Sequence, residues 1–111
     1  MKELSGLSGK TILVTGCEGM LGTAFTEILK NLTDVNLEAC ARHHLDVTDC
    51  KRVLQYADIA PDIVIHCAAE VDAERCQKEP DECHKVQVEG TRNIVALSKT
   101  TGAKILYPQS F

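Results

Sequence analysis

The sequence predicts an α/β fold: the first half of a doubly wound parallel sheet, with about four strands and three helices. Three observations lead there. Apolar runs alternate with helix-length segments along all 111 residues. A glycine-rich turn, Thr15-Gly16-Cys17-Glu18-Gly19-Met20-Leu21-Gly22, joins the first apolar run to the first helical pattern. Parallel strands need long crossovers of one hand, and each pair of runs here is separated by enough chain for one. The expected strand order is 3-2-1-4.

Residues 1–9 are a polar lead-in, and residues 10–111 form a single Rossmann-like domain. Lys10 to Thr15 is the first strand, and its near-continuous apolar character suits a parallel strand covered on both faces. The first helix runs from Met20 to about Asn31, with Met20, Ala24, Ile28 and Leu32 recurring every fourth residue. Thr33-Asp34 is a turn, and Val35 to Cys40 is a shorter, less apolar second strand. Thr48 or Asp49 caps a second helix that turns Val53, Leu54 and Ala57 inward. Pro61-Asp62 ends that unit. The run 63–69 is the third strand and its exit loop, the most strand-like stretch of the chain. A third helix begins near Pro80, a residue suited to a first helical position, and continues past Gly90 to about Thr100. Gly102 stops it. Lys104 to Tyr107 is the fourth strand.

The bulk numbers exclude several classes. Net charge is −4 with both signs interspersed, so no basic stripe marks a nucleic-acid surface. No apolar run reaches the roughly 18–20 residues of a membrane span. The first ten residues lack a hydrophobic signal core, and a cytoplasmic protein is expected. The six cysteines are Cys17, Cys40, Cys50, Cys67, Cys76 and Cys83. With no secretion signal and no C-x-x-C, neither a disulfide framework nor a metal site is expected. Cys40 and Cys67 read as small buried hydrophobes. Cys17 stands near a helix N-terminus, where a thiol pKa is lowered and oxidation becomes easier.

The turn suggests a dinucleotide site. Gly16 permits the sharp turn off the strand, Gly19 lets a pyrophosphate approach the backbone, and Gly22 lets the helix pack closely. The helix N-terminus offers N–H groups and a partial positive charge to phosphates. About 20 residues on, an acid would hold a ribose 2′-hydroxyl and an Arg would favour a 2′-phosphate. Arg42 stands there, so NADP(H) is favoured while NAD(H) stays open; the bland alternative is a solvated Arg. His43 and His44 either share that contact or are solvated. Asp46 is either a turn residue or an acceptor for an adenine amino group, with Val47 packing on the ring. The loop Cys67-Ala68-Ala69-Glu70 lies at the carboxyl edge of the sheet, where ligands bind, and its small residues let the backbone pass beside a dinucleotide. Ser110 follows the fourth strand on the same edge, with a hydroxyl suited to a substrate carbonyl.

Several stretches taken together resemble one family. Thr15-Gly16-x-x-Gly19-x-x-Gly22, Leu45-Asp46-Val47-Thr48-Asp49 and Pro61-Asp62-Ile63-Val64-Ile65-His66-Cys67-Ala68-Ala69 occur in order, followed by Glu79-Pro80, Val88-Glu89-Gly90-Thr91-Arg92-Asn93 and Gly102-Ala103-Lys104-Ile105-Leu106-Tyr107. This set resembles the dTDP-4-dehydrorhamnose reductase branch of the extended short-chain dehydrogenase/reductase family, over nearly the whole chain from Lys10. The resemblance implies an oxidoreductase that uses NAD(P)H to reduce a keto group of a nucleotide-linked sugar. It implies Gly16, Gly19, Met20, Leu21 and Gly22 at the pyrophosphate, Asp46 and Val47 at the adenine, Ala68 and Ala69 along the dinucleotide, and Ser110 as the catalytic Ser/Thr. Its partners would be the cofactor and a nucleotide-sugar, with a homodimer open.

The chain departs from the family pattern at three points. Gln87 stands where an Asn is usual, and the last strand continues into Pro108-Gln109-Ser110-Phe111 rather than Ser-Thr-Asp. The third is the family's Tyr-x-x-x-Lys pair: Tyr56 is followed four places on by Ala60, and Tyr107 by Phe111. The pair and the substrate region are expected downstream, so the 111 residues alone are expected to be inactive. Two alternatives stay open. One is a non-catalytic NAD(P)-binding partner protein resembling the regulatory subunit of methionine adenosyltransferase, whose pattern Ile65-His66-Cys67-Ala68-Ala69-Glu70 also resembles. The other is a sugar-nucleotide epimerase.

Overall fold

Aliphatic residues concentrate at 11–15 and 63–66, and both segments become central strands shielded on two faces. In the computed structural model, residues 6–68 and 73–108 are described. The strands are β1 (Thr11–Thr15), β2 (Asn36–Cys40), β3 (Ile63–His66) and β4 (Lys104–Leu106), all parallel. Their order is β2-β1-β3-β4.

The parallel α/β class agrees with the sequence, but the expected order 3-2-1-4 is corrected. The reason lies in β2, where exposed Asn36 and Glu38 make an edge strand that cannot sit in the middle of a sheet. In β3, Val64, Ile65 and His66 are buried, so that strand takes the centre beside β1. The connections from β1 to β2 and from β2 to β3 therefore run in opposite directions across the sheet. They part at the carboxyl ends of β1 and β3, the kind of crevice that binds ligands in open α/β sheets.

Side chains alternate across the sheet. Leu13 and Val64 join Cys40, Leu45, Val47, Val53, Ile94, Leu97 and Ala103 in the core on one face. Ile12, Val14 and Ile65 join Leu29 and Cys67 on the other. Cys40 and Cys67 are buried and unbridged, as the sequence predicts.

Helix α1 (Met20–Leu29) covers the second face. Its inward side is formed by Gly22, Leu29 and the partly buried Leu21 and Phe25, with Leu32 following. Of the four residues that recur every fourth position only Leu32 packs; Met20 is 74% exposed, Ile28 53%, and Ala24 is exposed. Gly22 must meet the turn, and that contact sets the rotation of the helix about its axis.

Helix α2 (Cys50–Gln55) begins as predicted: the Asp49 carboxylate accepts from the Arg52 N–H at 3.1 Å. Val53 is fully buried, but Leu54 is 38% exposed and not inward. A 3-10 turn, Tyr56–Ile59, brings Ala57 against the core and ends at Ala60, a non-glycine residue with φ +48°.

The third helix starts at Pro80, as expected, and runs as α4 (Pro80–Lys85), a π-helical segment (Val86–Gly90) and α5 (Thr91–Thr101). Gly102, at φ +77°, ends it in the left-handed conformation. A further short helix, α3 (Ala73–Lys78), precedes it. Cys76 of α3 and Cys83 of α4 form a disulfide, with Cα atoms 5.5 Å apart, which corrects the expectation of no disulfide. Among the described residues no helix is long and apolar enough to cross a membrane.

Candidate functional site

The carboxyl ends of β1 and β3 face each other through two glycine contacts. Gly16 turns at φ +64°, and a Cβ there would lie 2.7 Å from the Ala68 backbone. A Cβ on Gly22 would lie 2.0 Å from the Gly16 carbonyl oxygen. Turn, helix and β3 exit loop therefore touch backbone to backbone, at distances that no side chain permits. The Gly19 N–H donates to the Gly16 carbonyl at 3.1 Å, and the Thr23 hydroxyl donates to the Cys17 carbonyl at 3.1 Å. Gly19 is the N-cap of α1; no side chain caps it, and the first turn carries no acid. Nothing on that turn neutralises the positive end of the helix. Met20 stands exposed at this end, and Leu21 packs beneath it.

Cys17 is not the low-pKa thiol expected. Burial pushes its thiol up, and Glu18 beside it adds to the rise, while a backbone hydrogen bond only partly opposes them.

The β3 exit is fastened by a polar chain that the sequence reading missed. The Ala68 N–H donates to Thr15 Oγ1 at 3.2 Å, Thr15 Oγ1 meets His66 Nδ1 at 2.8 Å, and His66 Nε2 meets Thr91 Oγ1 at 3.3 Å. With Thr15 accepting from Ala68, its hydroxyl donates to Nδ1 and the neutral ring donates from Nε2. Burial holds the His66 pKa down at about 4. The chain ties together β1, β3, α5 and the loop at Ala68. Its sequence signal was a histidine inside an otherwise apolar strand. The sequence reading puts Cys67 beside the ligand, yet the residue is only 3% exposed and its side chain packs in the core. Ala68 is half-buried at the crevice. Ala69 and Ser110 lie outside the described residues.

Beyond β2 the chain carries the second group of candidates. Arg42, His43 and His44 are exposed, and the two imidazoles lie 4.0 Å apart, centre to centre. The Arg42 guanidinium lies 3.7 Å from the Glu82 carboxylate of α4. Asp46 Oδ1 accepts from the Thr48 N–H at 3.0 Å and from its hydroxyl at 2.7 Å, a capping turn. Burial pushes the Asp46 carboxyl up, but the two Thr48 hydrogen bonds, with Arg42 and Lys85 nearby, leave it below its ordinary value.

Val47 does not offer its side chain to a ring, as the sequence suggested. It is 3% exposed, and a Cβ on Gly90 would lie 2.6 Å from its Cγ2. Its carbonyl accepts from the Asn93 side-chain amide at 2.9 Å. Gly90, Thr91 and Asn93 thus have distinct structural tasks: the first two residues in this set border Val47 and His66, and the third fixes the Val47 backbone. Residue types alone do not assign these tasks, because each acts across more than twenty residues of sequence.

Tyr56 is no candidate general acid. The hydrogen-bonding contact between the phenol and Cys40, together with burial, pushes the phenol up to about 12.

Comparison with known proteins agrees with this geometry. The family described as RmlD substrate binding domain matches residues 10–110. A dTDP-4-dehydrorhamnose reductase of Streptomyces griseus is 35% identical over 95 residues, which cover 85% of this chain and 31% of that protein. The crystal structure of dTDP-4-dehydrorhamnose reductase from Bacillus anthracis in complex with NADP superposes with a TM-score of 0.81 at 32% identity, covering 88% of this chain and 35% of that one. Methionine adenosyltransferase 2 subunit beta of Pongo abelii is 24% identical over 127 residues, covering 99% of this chain and 35% of that protein. This chain thus spans about a third of the length of these relatives. A family match across nearly all of the folded residues, on a sheet whose glycine contacts shape the crevice, leads to one conclusion: the chain belongs to the RmlD substrate binding domain family.

Proposed function

We propose that this chain is the cofactor-binding portion of an NAD(P)H-dependent reductase that acts on the keto group of a nucleotide-linked sugar. The observation that carries the reading is the crevice at Gly16, Gly22 and Ala68, where three backbone segments meet beside the uncapped N-terminus of α1. That geometry fits a pyrophosphate: small residues admit it, and helix N–H groups bind its charge. Gly19, Met20 and Leu21 would border it, and the backbone at Cys67, Ala68 and Ala69 would run along the dinucleotide. Arg42 would take a 2′-phosphate and favour NADP(H), while Asp46 and the Val47 backbone segment would border the adenine.

When bound, the reduced nicotinamide supplies hydride to the keto carbon. The chain's own residues bind and orient. His66 holds the Ala68 N–H through Thr15, so the loop keeps a fixed height beside the crevice. Ser110, which follows β4 in the sequence, would hold the substrate carbonyl. Partner-protein function, as in the methionine adenosyltransferase subunit, is the second reading, favoured by a match along 99% of the chain.

The test is calorimetric titration of the full-length protein with NADPH, followed by a turnover assay on dTDP-4-keto-6-deoxysugar. Binding with turnover supports the reductase; binding without turnover supports the partner reading. Gly22→Ala should abolish NADPH binding while the protein still folds, because the turn must move. Unchanged binding in Gly22→Ala would remove the crevice from the site.

A further inference from the structure

The loop between the two bridged cysteines lies against Arg42. An open concavity of about 590 Å³ is lined by Arg42, Lys78, Glu79, Pro80, Asp81 and Glu82. Five of these six residues lie between Cys76 and Cys83, and the sixth is Arg42. Glu82 immediately precedes Cys83 in the first turn of α4 and meets Arg42 at 3.7 Å. The bridge to α3 is a covalent fastening of the turn that carries Glu82.

We propose that Glu82 is a specificity-determining residue for the cofactor ribose, and that the Cys76–Cys83 bridge sets its position. The proposal rests on the reading of Arg42 given above. With the bridge closed, Glu82 occupies Arg42 and presents a carboxylate to the ribose. A carboxylate accepts from a 2′-hydroxyl and repels a 2′-phosphate, so this state favours the unphosphorylated dinucleotide. With the bridge open, the first turn of α4 loosens, Glu82 leaves Arg42, and the guanidinium is available to a 2′-phosphate.

Opening is thiol–disulfide exchange with a cellular dithiol. Cys76 is partly exposed and Cys83 is 5% exposed, so attack falls on Cys76 Sγ. A thiolate of the dithiol bonds to Cys76 Sγ, the S–S bond breaks, and Cys83 leaves as a thiolate that takes a proton. The second thiol of the dithiol then displaces Cys76, which takes the second proton. The dithiol is oxidised to a disulfide by two electrons, and the protein disulfide is reduced by the same two.

The experiment measures binding of 2′,5′-ADP and 5′-AMP to the full-length protein by calorimetry, before and after dithiothreitol. Alkylation and intact mass verify that two further thiols appear on reduction. The expected result is that reduction raises the 2′,5′-ADP to 5′-AMP affinity ratio about fivefold, the effect of one exposed charge pair. Glu82→Gln should raise it about as much and abolish the response to reduction. Cys76→Ser should behave as the reduced protein, and melting curves verify that each variant is folded. If Glu82→Gln leaves the ratio unchanged while Arg42→Ala lowers it, the proposal is overturned and the Arg42 reading stands. If Arg42→Ala also leaves the ratio unchanged, the Arg42 reading falls, and the proposal with it. If Glu82→Gln raises the ratio but reduction does not, the role of the bridge is overturned.

Discussion

The two faces of the sheet are built differently. On one, α2 and α5 close over Leu13, Val53, Val64, Ile94 and Leu97, all of them without exposed surface. On the other, α1 covers Ile12, Val14 and Ile65 but leaves Leu106 of β4 46% exposed. Ile65 pairs with Leu106, so both side chains stand on the α1 face, yet only Ile65 lies under cover. The sealed face depends on volume and shape. The α1 face depends on one rigid point, where Gly22 meets Gly16, and the stripe Met20, Ala24 and Ile28 contributes little packing. The candidate crevice opens at the end of the sheet where both faces reach the carboxyl ends of β1 and β3. It takes its anchoring from the sealed face, through His66 and Thr91, and its glycine turn from the other.

The contrast predicts a graded series of effects. Leu97→Ala, on the sealed face, should cost about 3 kcal/mol in urea unfolding, because α5 cannot collapse into the space. A loss below about 1 kcal/mol would mean that this face is looser than its burial suggests.

The next effect is of pH. His66 binds its proton at about 4 in the folded chain, against 6.5 for an ordinary histidine. Between those values the unfolded chain takes up a proton that the folded chain refuses, so stability falls as pH falls through that window. The loss should approach about 3 kcal/mol by pH 4 and be absent above pH 7. His66→Asn should flatten the slope; an unchanged slope would assign it to other groups.

Asp49→Ala removes the cap of α2 on the sealed face and should cost about 1 kcal/mol. The smallest effects are expected on the α1 face. Ile28→Ser and Leu106→Thr should each change stability by less than about 0.5 kcal/mol in this chain. A large loss at either position would show that the α1 face packs more tightly than its exposure indicates.

Several parts of the molecule were readable from residue types. The first strand was marked by continuous aliphatic residues, α2 by Asp49, α4 by Pro80 and the end of α5 by Gly102, since each signal acts within a few residues of its effect. The fourfold pattern of Met20, Ala24, Ile28 and Leu32 marked α1 as a helix but not its inward face, because helical periodicity says which residues share a face, not which face is inward. Leu54 misled for the same reason. At the candidate site, Gly16 and Gly22 were legible, because the turn and the close packing they permit are local. The pairing of Cys76 with Cys83 was not: absence of a secretion signal speaks to compartment, whereas bridging depends on the distance between two short helices. Arg42 is a candidate by its place after β2, but the Glu82 opposite it belongs to another crossover and carries no local signal.

The sequence by itself determined the alternation of strands and helices, the glycine turn and the family, because these are written in local pattern and motif. Tertiary structure alone decided the strand order, the rotation of α1, the burial of Val47 beneath Gly90 and the chain from Thr15 through His66 to Thr91. Each of these is a choice among arrangements that local propensity leaves equal. Burial and close packing between residues far apart in sequence make that choice, and they act only once the sheet has assembled.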